Sequence, residues 1–124
     1  MQQGERGMAD SSATDWQPRL GEQFTYAGRH YDLAKAKELI KATVRPVENK
    51  PLGLFKSMYW DAVKIDWDKA EKTDPTIPLI VATEAGGKLV LIDGWHRFAK
   101  ALRTRLAEVP TVTLTEEETK QIAR

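Results

Sequence analysis

Two nearly continuous apolar runs, at residues 77–83 and 88–92, narrow the choice of fold more than any other part of the chain. Both are rich in β-branched residues and are separated by Ala85-Gly86-Gly87, so we predict a β-hairpin. Strands that are apolar along their whole length are typically buried on both faces. The hairpin should therefore belong to a sheet that is covered by helices.

The second apolar run leads directly into a helix. Asp93-Gly94 interrupts the strand, and residues 95–106 repeat apolar side chains at helical spacing. At about 100° per residue, this helix has an apolar stripe that can dock on the sheet and a separate cationic stripe that we expect to face outward. The two stripes are formed by Phe98, Leu102 and Leu106 and by His96, Lys100 and Arg103.

A helix that starts immediately after a glycine is a candidate anion site. Its first amides have no partner inside the helix, and the helix dipole places about half a positive charge there, so phosphates bind readily. His96 and Arg97 fall in the first turn, where cations oppose the dipole at a cost of about a few tenths of a kcal/mol each. Their presence predicts an anion that compensates for the repulsion, bound in part by the guanidinium fork of Arg97.

Each residue of this junction also has a structural interpretation. Lys100, Arg103 and Arg105 can be solvated charges on an exposed helix face. Trp95 can be a core residue, since tryptophan is highly buried on average. Asp93 can be an N-cap or flanking acid. In the functional interpretation Asp93 instead holds Mg²⁺ beside a phosphate or acts as a base.

The charge of the chain points to the same segment. Its 19 basic and 18 acidic residues give a net charge of +1, which is not the strong positive excess of a nonspecific nucleic-acid binder. Residues 94–107 nevertheless contain basic residues and no acidic residue. One helix-sized segment therefore carries the positive field.

The remaining composition excludes several classes of protein. A chain of 124 residues, 41% hydrophobic, has the size and core content of one domain. Without cysteine it has no disulfide framework and no thiol nucleophile, and two histidines are too few for a histidine-rich zinc site. No apolar run reaches the roughly 18 residues of a membrane span, and the N-terminus lacks the apolar core of a secretory signal. We expect a cytoplasmic protein with no membrane partner.

The chain divides into a flexible leader at residues 1–20, rich in small and polar residues, and a single α+β domain at residues 21–124. We predict short strands at residues 24–26 and 29–31 around a two-residue turn. A helix over Leu33–Ala42 should follow, with Asp32 as its N-cap.

The other elements follow from local patterns. The prolines and the glycine of residues 43–53 predict an extended or irregular segment. Residues 62–67 alternate with period two and predict a strand, followed by a short helical turn at residues 68–72. The last strand is predicted at residues 109–114. A capping box at Thr115 and Glu118 predicts a C-terminal helix that runs to Arg124.

Together with its flanks, the junction resembles the ParB/sulfiredoxin superfamily. The similarity covers residues 65–114 and consists of Ile77-Pro78-Leu79-Ile80-Val81, the Gly-Gly hairpin, Asp93-Gly94-Trp95-His96-Arg97 and Val109-Pro110. The corresponding motif reads Gly-Cys-His-Arg in sulfiredoxins and Gly-Glu-Arg-Arg in ParB proteins. The resemblance implies an α+β domain with a mixed sheet that binds ATP or CTP, with the phosphates held by the helix start and the His-Arg pair.

Carried over position by position, the resemblance assigns phosphate contacts to Gly94, His96 and Arg97, with Asp93 adjacent. Trp95 stands where sulfiredoxins have their cysteine and where ParB proteins have a glutamate. Sulfinic-acid reductase chemistry is excluded, because it needs a sulfur nucleophile. The acid to which ParB proteins owe their metal and hydrolysis role is also replaced.

The helix before the hairpin is shorter than in the family, and it offers Lys69, Lys72 or Thr73 as further phosphate contacts. We therefore expect a stand-alone ParB-like domain that binds ATP or CTP together with Mg²⁺ at Asp93. The phosphate oxygens should lie over the amides of residues 94–97, with Lys100 and Arg103 adding reach.

Two alternatives stay open. The first is an enzyme that acts on the phosphate group, a nucleoside triphosphatase, kinase or nuclease, with Asp93, His96 or Glu84 as base or metal ligand. The second is a DNA- or protein-binding module of a plasmid- or chromosome-partition-type system. The base of the nucleotide, turnover and the oligomeric state do not follow from the sequence.

Overall fold

The computed structural model of the chain describes residues 22–62, 65–74 and 76–124, and only the backbone of residues 60–62. The predicted leader at residues 1–20 lies outside the described residues. The described part has an α+β fold with a two-stranded sheet, a four-stranded sheet and helices between and after the strands, which confirms the predicted fold class.

The chain enters through a hairpin and a helix, both as predicted. Strands β1 (Gln23–Tyr26) and β2 (Arg29–Asp32) pair in antiparallel fashion. The turn residues Ala27 and Gly28 both have positive φ, 52° and 81°, as tight two-residue hairpins require. Helix α1 (Leu33–Ala42) begins where Asp32 accepts a hydrogen bond from the Lys35 amide at 3.0 Å.

The four-stranded sheet holds the predicted central hairpin. Strands β4 (Leu79–Thr83) and β5 (Leu89–Asp93) are antiparallel, and β4 is parallel to β6 (Glu108–Thr113). Residues 79–82 and 90–92 are all buried, as their continuous apolar character predicts.

The sequence pattern did not predict the fourth strand of this sheet. Within the segment predicted to be extended or irregular, β3 (Glu48–Pro51) pairs with the outer side of β6 and completes the order β3-β6-β4-β5. The strand consists of polar residues and a proline and lies at the sheet edge. Edge strands of this composition carry no apolar alternation, which explains why the pattern gave no strand signal.

The prediction of a strand at residues 62–67 is wrong where the structure describes it; residues 63 and 64 lie outside the described part. Helix α2 (Lys56–Ala62) includes Ala62, and Trp67 starts helix α3 (Trp67–Glu71). Asp66 caps α3 by accepting from the Lys69 amide at 3.3 Å. The apparent alternation therefore comes from a helix cap between two short helices, and α3 corresponds to the predicted helical turn.

Helix α4 (Trp95–Arg103) ends earlier than residue 106, where the sequence predicted its end. Arg105 has a φ of 61°, its amide donates to the Leu102 carbonyl at 3.2 Å, and the Leu106 amide donates to the Ala101 carbonyl at 3.0 Å. This pair of bonds around a left-handed residue is the Schellman motif that stops a helix. Leu106 is consequently outside the apolar stripe and 42% exposed.

The C-terminal helix α5 (Glu116–Ile122) has the predicted capping box: Thr115 accepts from the Glu118 amide, and the Glu118 side chain accepts from the Thr115 amide. It stops two residues before the predicted end. There His30 and Arg124 exchange two backbone hydrogen bonds of 3.0 and 2.9 Å, which join the N-terminal hairpin to the end of the chain.

The core lies between the four-stranded sheet and the helices. Its largest fully buried side chains include Tyr31, Phe55 and Phe98, and the last two meet edge to face with their ring centroids 6.3 Å apart. Among the described residues, no helix is both long and apolar enough to cross a membrane.

Candidate functional site

The strand–helix corner is built around Gly94, the N-cap of α4, which has a φ of 98°. A Cβ atom added to Gly94 would lie 2.5 Å from Cδ2 of Leu79 and 2.9 Å from Nη2 of Arg97. Glycine is therefore required here both by conformation and by space. No side chain caps this end of α4, and the first turn contains no acidic residue. Its first-turn amides thus receive no hydrogen-bond acceptor from an N-cap side chain, while the Gly94 amide donates to the Asp93 carboxylate.

Arg97 lies against this corner. Its side chain is 6% exposed, and Nη2 donates to the Pro78 carbonyl at 3.2 Å. The guanidinium holds Pro78, the residue before β4, beside Gly94, the residue after β5. Arg97 therefore brings a positive charge close to Gly94, and its hydrogen bond to Pro78 stabilises the backbone of the corner.

His96 is partly buried and faces the start of α3. Its Nε2 accepts a hydrogen bond from the Asp66 amide at 3.2 Å. Burial, and next the charge of Lys69, lower the pKa of His96 below its ordinary value. An imidazole that accepts at Nε2 carries its proton on Nδ1 and is neutral. His96 thus offers the corner a neutral ring in this structure, where the sequence suggested a cation.

The predicted outward-facing cationic stripe packs along α3 instead. Nζ of Lys100 donates to the carbonyls of Glu71 and Thr73 at 2.9 and 2.8 Å and so satisfies the C-terminal end of α3. Arg103 donates to the Glu71 carboxylate at 3.0 Å, and its guanidinium carbon lies 5.2 Å from the ring centroid of Trp67. Both residues hold α3 against α4, because the short α3 leaves carbonyls and a carboxylate beside this stripe.

Of the predicted contacts on α3, Lys69 fits the corner best. It is exposed, and it lies close enough to His96 for its charge to affect the pKa of the imidazole. Thr73 donates its hydroxyl to the Ala70 carbonyl at 2.7 Å, so its proton is used within its own turn. Lys69 is therefore the cation of α3 that we retain for the site.

Asp93, predicted as a catalytic base or metal ligand, lies beside a cation of the protein. Its Oδ2 lies 3.7 Å from Nζ of Lys37, which also contacts both carboxylate oxygens of Glu22 at 3.0 and 3.2 Å. Burial raises the pKa of Asp93, and the charges of Lys37 and Arg97 oppose that rise. Since Gly94 is the N-cap, Asp93 flanks the helix and does not cap it.

Sequence reasoning missed Lys37 and Glu22. Lys37 belongs to the buried face of α1 together with Leu33, Ala36 and Ile40, and it is only 3% exposed. A lysine inside an apolar stripe is a signal that can be seen in the sequence, because such a residue is rarely buried without a partner. Its partners lie elsewhere in the chain, Glu22 just before β1 and Asp93 at the end of β5.

Trp95 belongs to the core. It is 6% exposed, and its ring centroid lies 5.4 Å from that of Phe98 and 6.1 Å from that of Phe24. Its indole Nε1 is buried and has no hydrogen-bond partner among the described residues. Only the backbone amide of Trp95 therefore belongs to the predicted phosphate contacts.

Glu84 is not brought to the corner. It lies in the turn between β4 and β5, at the other end of the central hairpin from Gly94. There its carboxylate accepts hydrogen bonds from Nε and Nη2 of Arg29 at 3.1 and 2.9 Å and from the Tyr31 hydroxyl. These bonds fasten the N-terminal hairpin to the sheet. As a base or metal ligand for chemistry near Asp93, Glu84 is badly placed.

The donor set of the corner does not fit a magnesium site of the protein's own. Mg²⁺ takes oxygen ligands, and the two nearby carboxylates, Asp93 and Glu22, both face the ammonium of Lys37. Nowhere in residues 22–62, 65–74 and 76–124 do three acidic or histidine side chains form a group suited to a metal. Asp93 and Glu22 thus face a cation of the protein itself.

In comparisons with protein-family models, curated proteins and solved structures, the chain matches none. The resemblance to the ParB/sulfiredoxin superfamily therefore remains a prediction, which rests on the motif at residues 93–97 and on the strands around it.

Proposed function

We propose that the protein binds the phosphate groups of a nucleoside triphosphate, ATP or CTP, at the N-terminal end of α4. The observation that carries this proposal is the composition of that helix end. A glycine with a φ of 98° leads it, no side chain caps it, its first turn has no acid, and Lys69 and Arg97 lie beside it.

The amides of the first turn supply the direct contacts. Phosphate oxygens accept from such amides, and the helix dipole favours their charge. The absence of a side chain at Gly94 lets the Arg97 guanidinium lie close to the backbone of the corner. Lys69 adds a positive charge on an exposed side chain of α3, while the buried Arg97 adds a positive charge that is fixed in position.

Lys37 reduces the repulsion between the Asp93 carboxylate and a phosphate at the helix end. A bare carboxylate at Asp93 would repel a phosphate at the adjacent helix end. With the Lys37 ammonium 3.7 Å away, the negative charge of Asp93 is partly compensated at the corner. In this proposal Asp93 and Lys37 act as a pair that sets the local charge, and Mg²⁺ arrives with the triphosphate.

The proposal is limited to binding. Both predicted carboxylate bases are engaged by cations, Asp93 by Lys37 and Glu84 by Arg29. His96, the third candidate, accepts a backbone hydrogen bond. The positions of these three residues favour a receptor for phosphate over a site of proton transfer.

Isothermal titration calorimetry on the full chain tests the proposal. ATP, CTP and inorganic triphosphate are each titrated with and without Mg²⁺, and we expect binding of at least one nucleotide. Lys69→Ala should weaken it about three- to tenfold, the scale of one exposed charge contact. Lys35→Ala, which removes an exposed lysine of α1, is the matched control and should leave the affinity unchanged. Absence of heat with every ligand would overturn the proposal.

A further inference from the structure

A cavity of about 600 Å³ opens on the flank of α4, beyond the corner. Its lining consists of two aromatic residues, two apolar residues of α4 and one cation: Tyr59, Trp67, Ala99, Leu102 and Arg103. We propose that this cavity binds the planar base of the nucleotide, an inference that rests on the proposed function and assigns a second subsite to it.

The chemistry of the walls fits a flat heteroaromatic ring. Ligand sites are typically cavities of about 300–1,000 Å³ with mostly apolar walls and a few polar groups. Trp67 forms one wall and is 41% exposed, a large ring surface left open to solvent. Bases stack on such rings irrespective of their identity, and guanidinium groups add cation–π contacts. Arg103 already makes this contact with Trp67, since its guanidinium carbon lies over the ring 5.2 Å from the centroid, and it must move aside for a base to stack on that face.

The cation can adapt to a ligand. Its ion pair with Glu71 joins two side chains that are 59% and 57% exposed. Exposed ion pairs contribute little free energy, so the guanidinium can leave Glu71 for an acceptor atom of a base. The cavity therefore offers stacking from Trp67 and a movable donor from Arg103.

The cavity lies farther along α4 than the corner, toward the C-terminal end of the helix. His96, Ala99 and Arg103 are spaced three and four residues apart, so they share a face, and the axial rise from the first to the last is about 10 Å. Asp66, whose amide binds His96, directly precedes Trp67. A ligand with an anionic end at the first turn and a ring in the cavity would span about 10 Å along this face, passing over the buried Ala99.

Calorimetry on the full chain separates the two subsites, with inorganic triphosphate as the probe of the corner and ATP as the probe of both. We expect ATP to bind at least about tenfold more tightly than inorganic triphosphate, as stacking of one base allows. Trp67→Ala should remove this difference and leave triphosphate binding unchanged. Trp67→Phe keeps a ring and should retain most of it. Leu106→Ala is the matched control, since Leu106 is 42% exposed and does not line the cavity.

The outcomes distinguish this inference from the proposed function. If ATP and triphosphate bind equally, or if Trp67→Ala binds ATP as the unmodified chain does, the base subsite is overturned while the phosphate site stands. If neither ligand binds, both proposals fail. Thermal unfolding of each variant checks that it is folded, and the comparison of ATP with inorganic triphosphate on the unmodified chain decides the case if Trp67→Ala does not fold.

Discussion

The ammonium of Lys37 lies 3.7 Å from the carboxylate of Asp93 and ties helix α1 to the end of strand β5. Residues 24–42 lie outside the block that resembles the ParB/sulfiredoxin superfamily, yet the structure places one of their side chains at the candidate site. The N-terminal hairpin and α1 therefore take part in setting the charge of the corner.

Replacing this lysine should destabilise the fold. Lys37→Met leaves the carboxylates of Glu22 and Asp93 without their shared cation, and we expect a loss of about 2–4 kcal/mol, because breaking a buried pair strands a charge. Urea unfolding at pH 7 measures the loss. It should shrink as the pH falls, since burial raises the pKa of Asp93 and protonation removes the stranded charge. Lys35→Met, on the exposed face of α1, should change stability by less than about 0.5 kcal/mol.

Gly94→Ala should destabilise the protein by about 2 kcal/mol or more. The new methyl group would meet Leu79 at 2.5 Å and the guanidinium of Arg97 at 2.9 Å, at a φ of 98°. Gly53→Ala is the control, because Gly53 has no neighbour within 4 Å of an added Cβ and no positive φ. It should be neutral or slightly stabilising. Equal unfolding free energies for the two variants would contradict the described geometry of the corner.

Arg105→Gly should stabilise the protein by about 0.5–1 kcal/mol. Arg105 holds a φ of 61° at the end of α4, a conformation that costs free energy for any residue with a Cβ. Arg105→Ala removes the charged side chain without relieving the backbone, so it should bring no such gain. Chemical denaturation of the three proteins separates the conformational effect from the effect of charge.

The ion pair between Arg45 and Glu118 should govern part of the acid stability. Hydrogen bonding from Arg45 lowers the pKa of Glu118 to about 2, from 4.5 in a model compound. The folded state thus holds the charged form more strongly, and this contribution is present above the unfolded pKa and lost as the pH falls from about 4.5 to about 2. Glu118→Gln should flatten the melting temperature over that interval. Glu117→Gln, at an exposed position of the same helix, should not.

The ionisation of His96 can be followed by NMR titration of its ring protons. Burial and the charge of Lys69 should hold its pKa below 6.5. Lys69→Ala removes the like charge and should raise the pKa, whereas Lys35→Ala should leave it in place. Saturating inorganic triphosphate should also raise it, because an anion favours the imidazolium. A pKa that does not respond to Lys69→Ala would place that lysine away from the ring.

The features that could be predicted from the sequence are those that depend on residues close together in the chain. The caps at Asp32 and Thr115 and the turn at Ala27-Gly28 depend on side chains and dihedral angles within a few positions, and all three are confirmed. The start of α4 at Gly94 belongs to the same class, since a glycine after a buried strand allows the sharp change of direction.

What could not be predicted depends on partners distant in the chain. The sequence marks Lys100 as a cation on a helix face, but only the packed fold shows that it caps α3 through the carbonyls of Glu71 and Thr73. The same holds for Lys37, whose carboxylate partner Asp93 lies in β5. Period-two alternation also failed beside Asp66, because a cap residue between two short helices produces the same pattern as a strand.

The two hydrogen bonds between His30 and Arg124 have a practical consequence. They clamp the hairpin that begins beside Glu22, and Glu22 shares Lys37 with Asp93. Any segment attached after Arg124 begins at a residue whose backbone is already hydrogen-bonded to this hairpin. We therefore expect a segment attached directly after Arg124 to disturb these hydrogen bonds more than the same segment attached through a spacer.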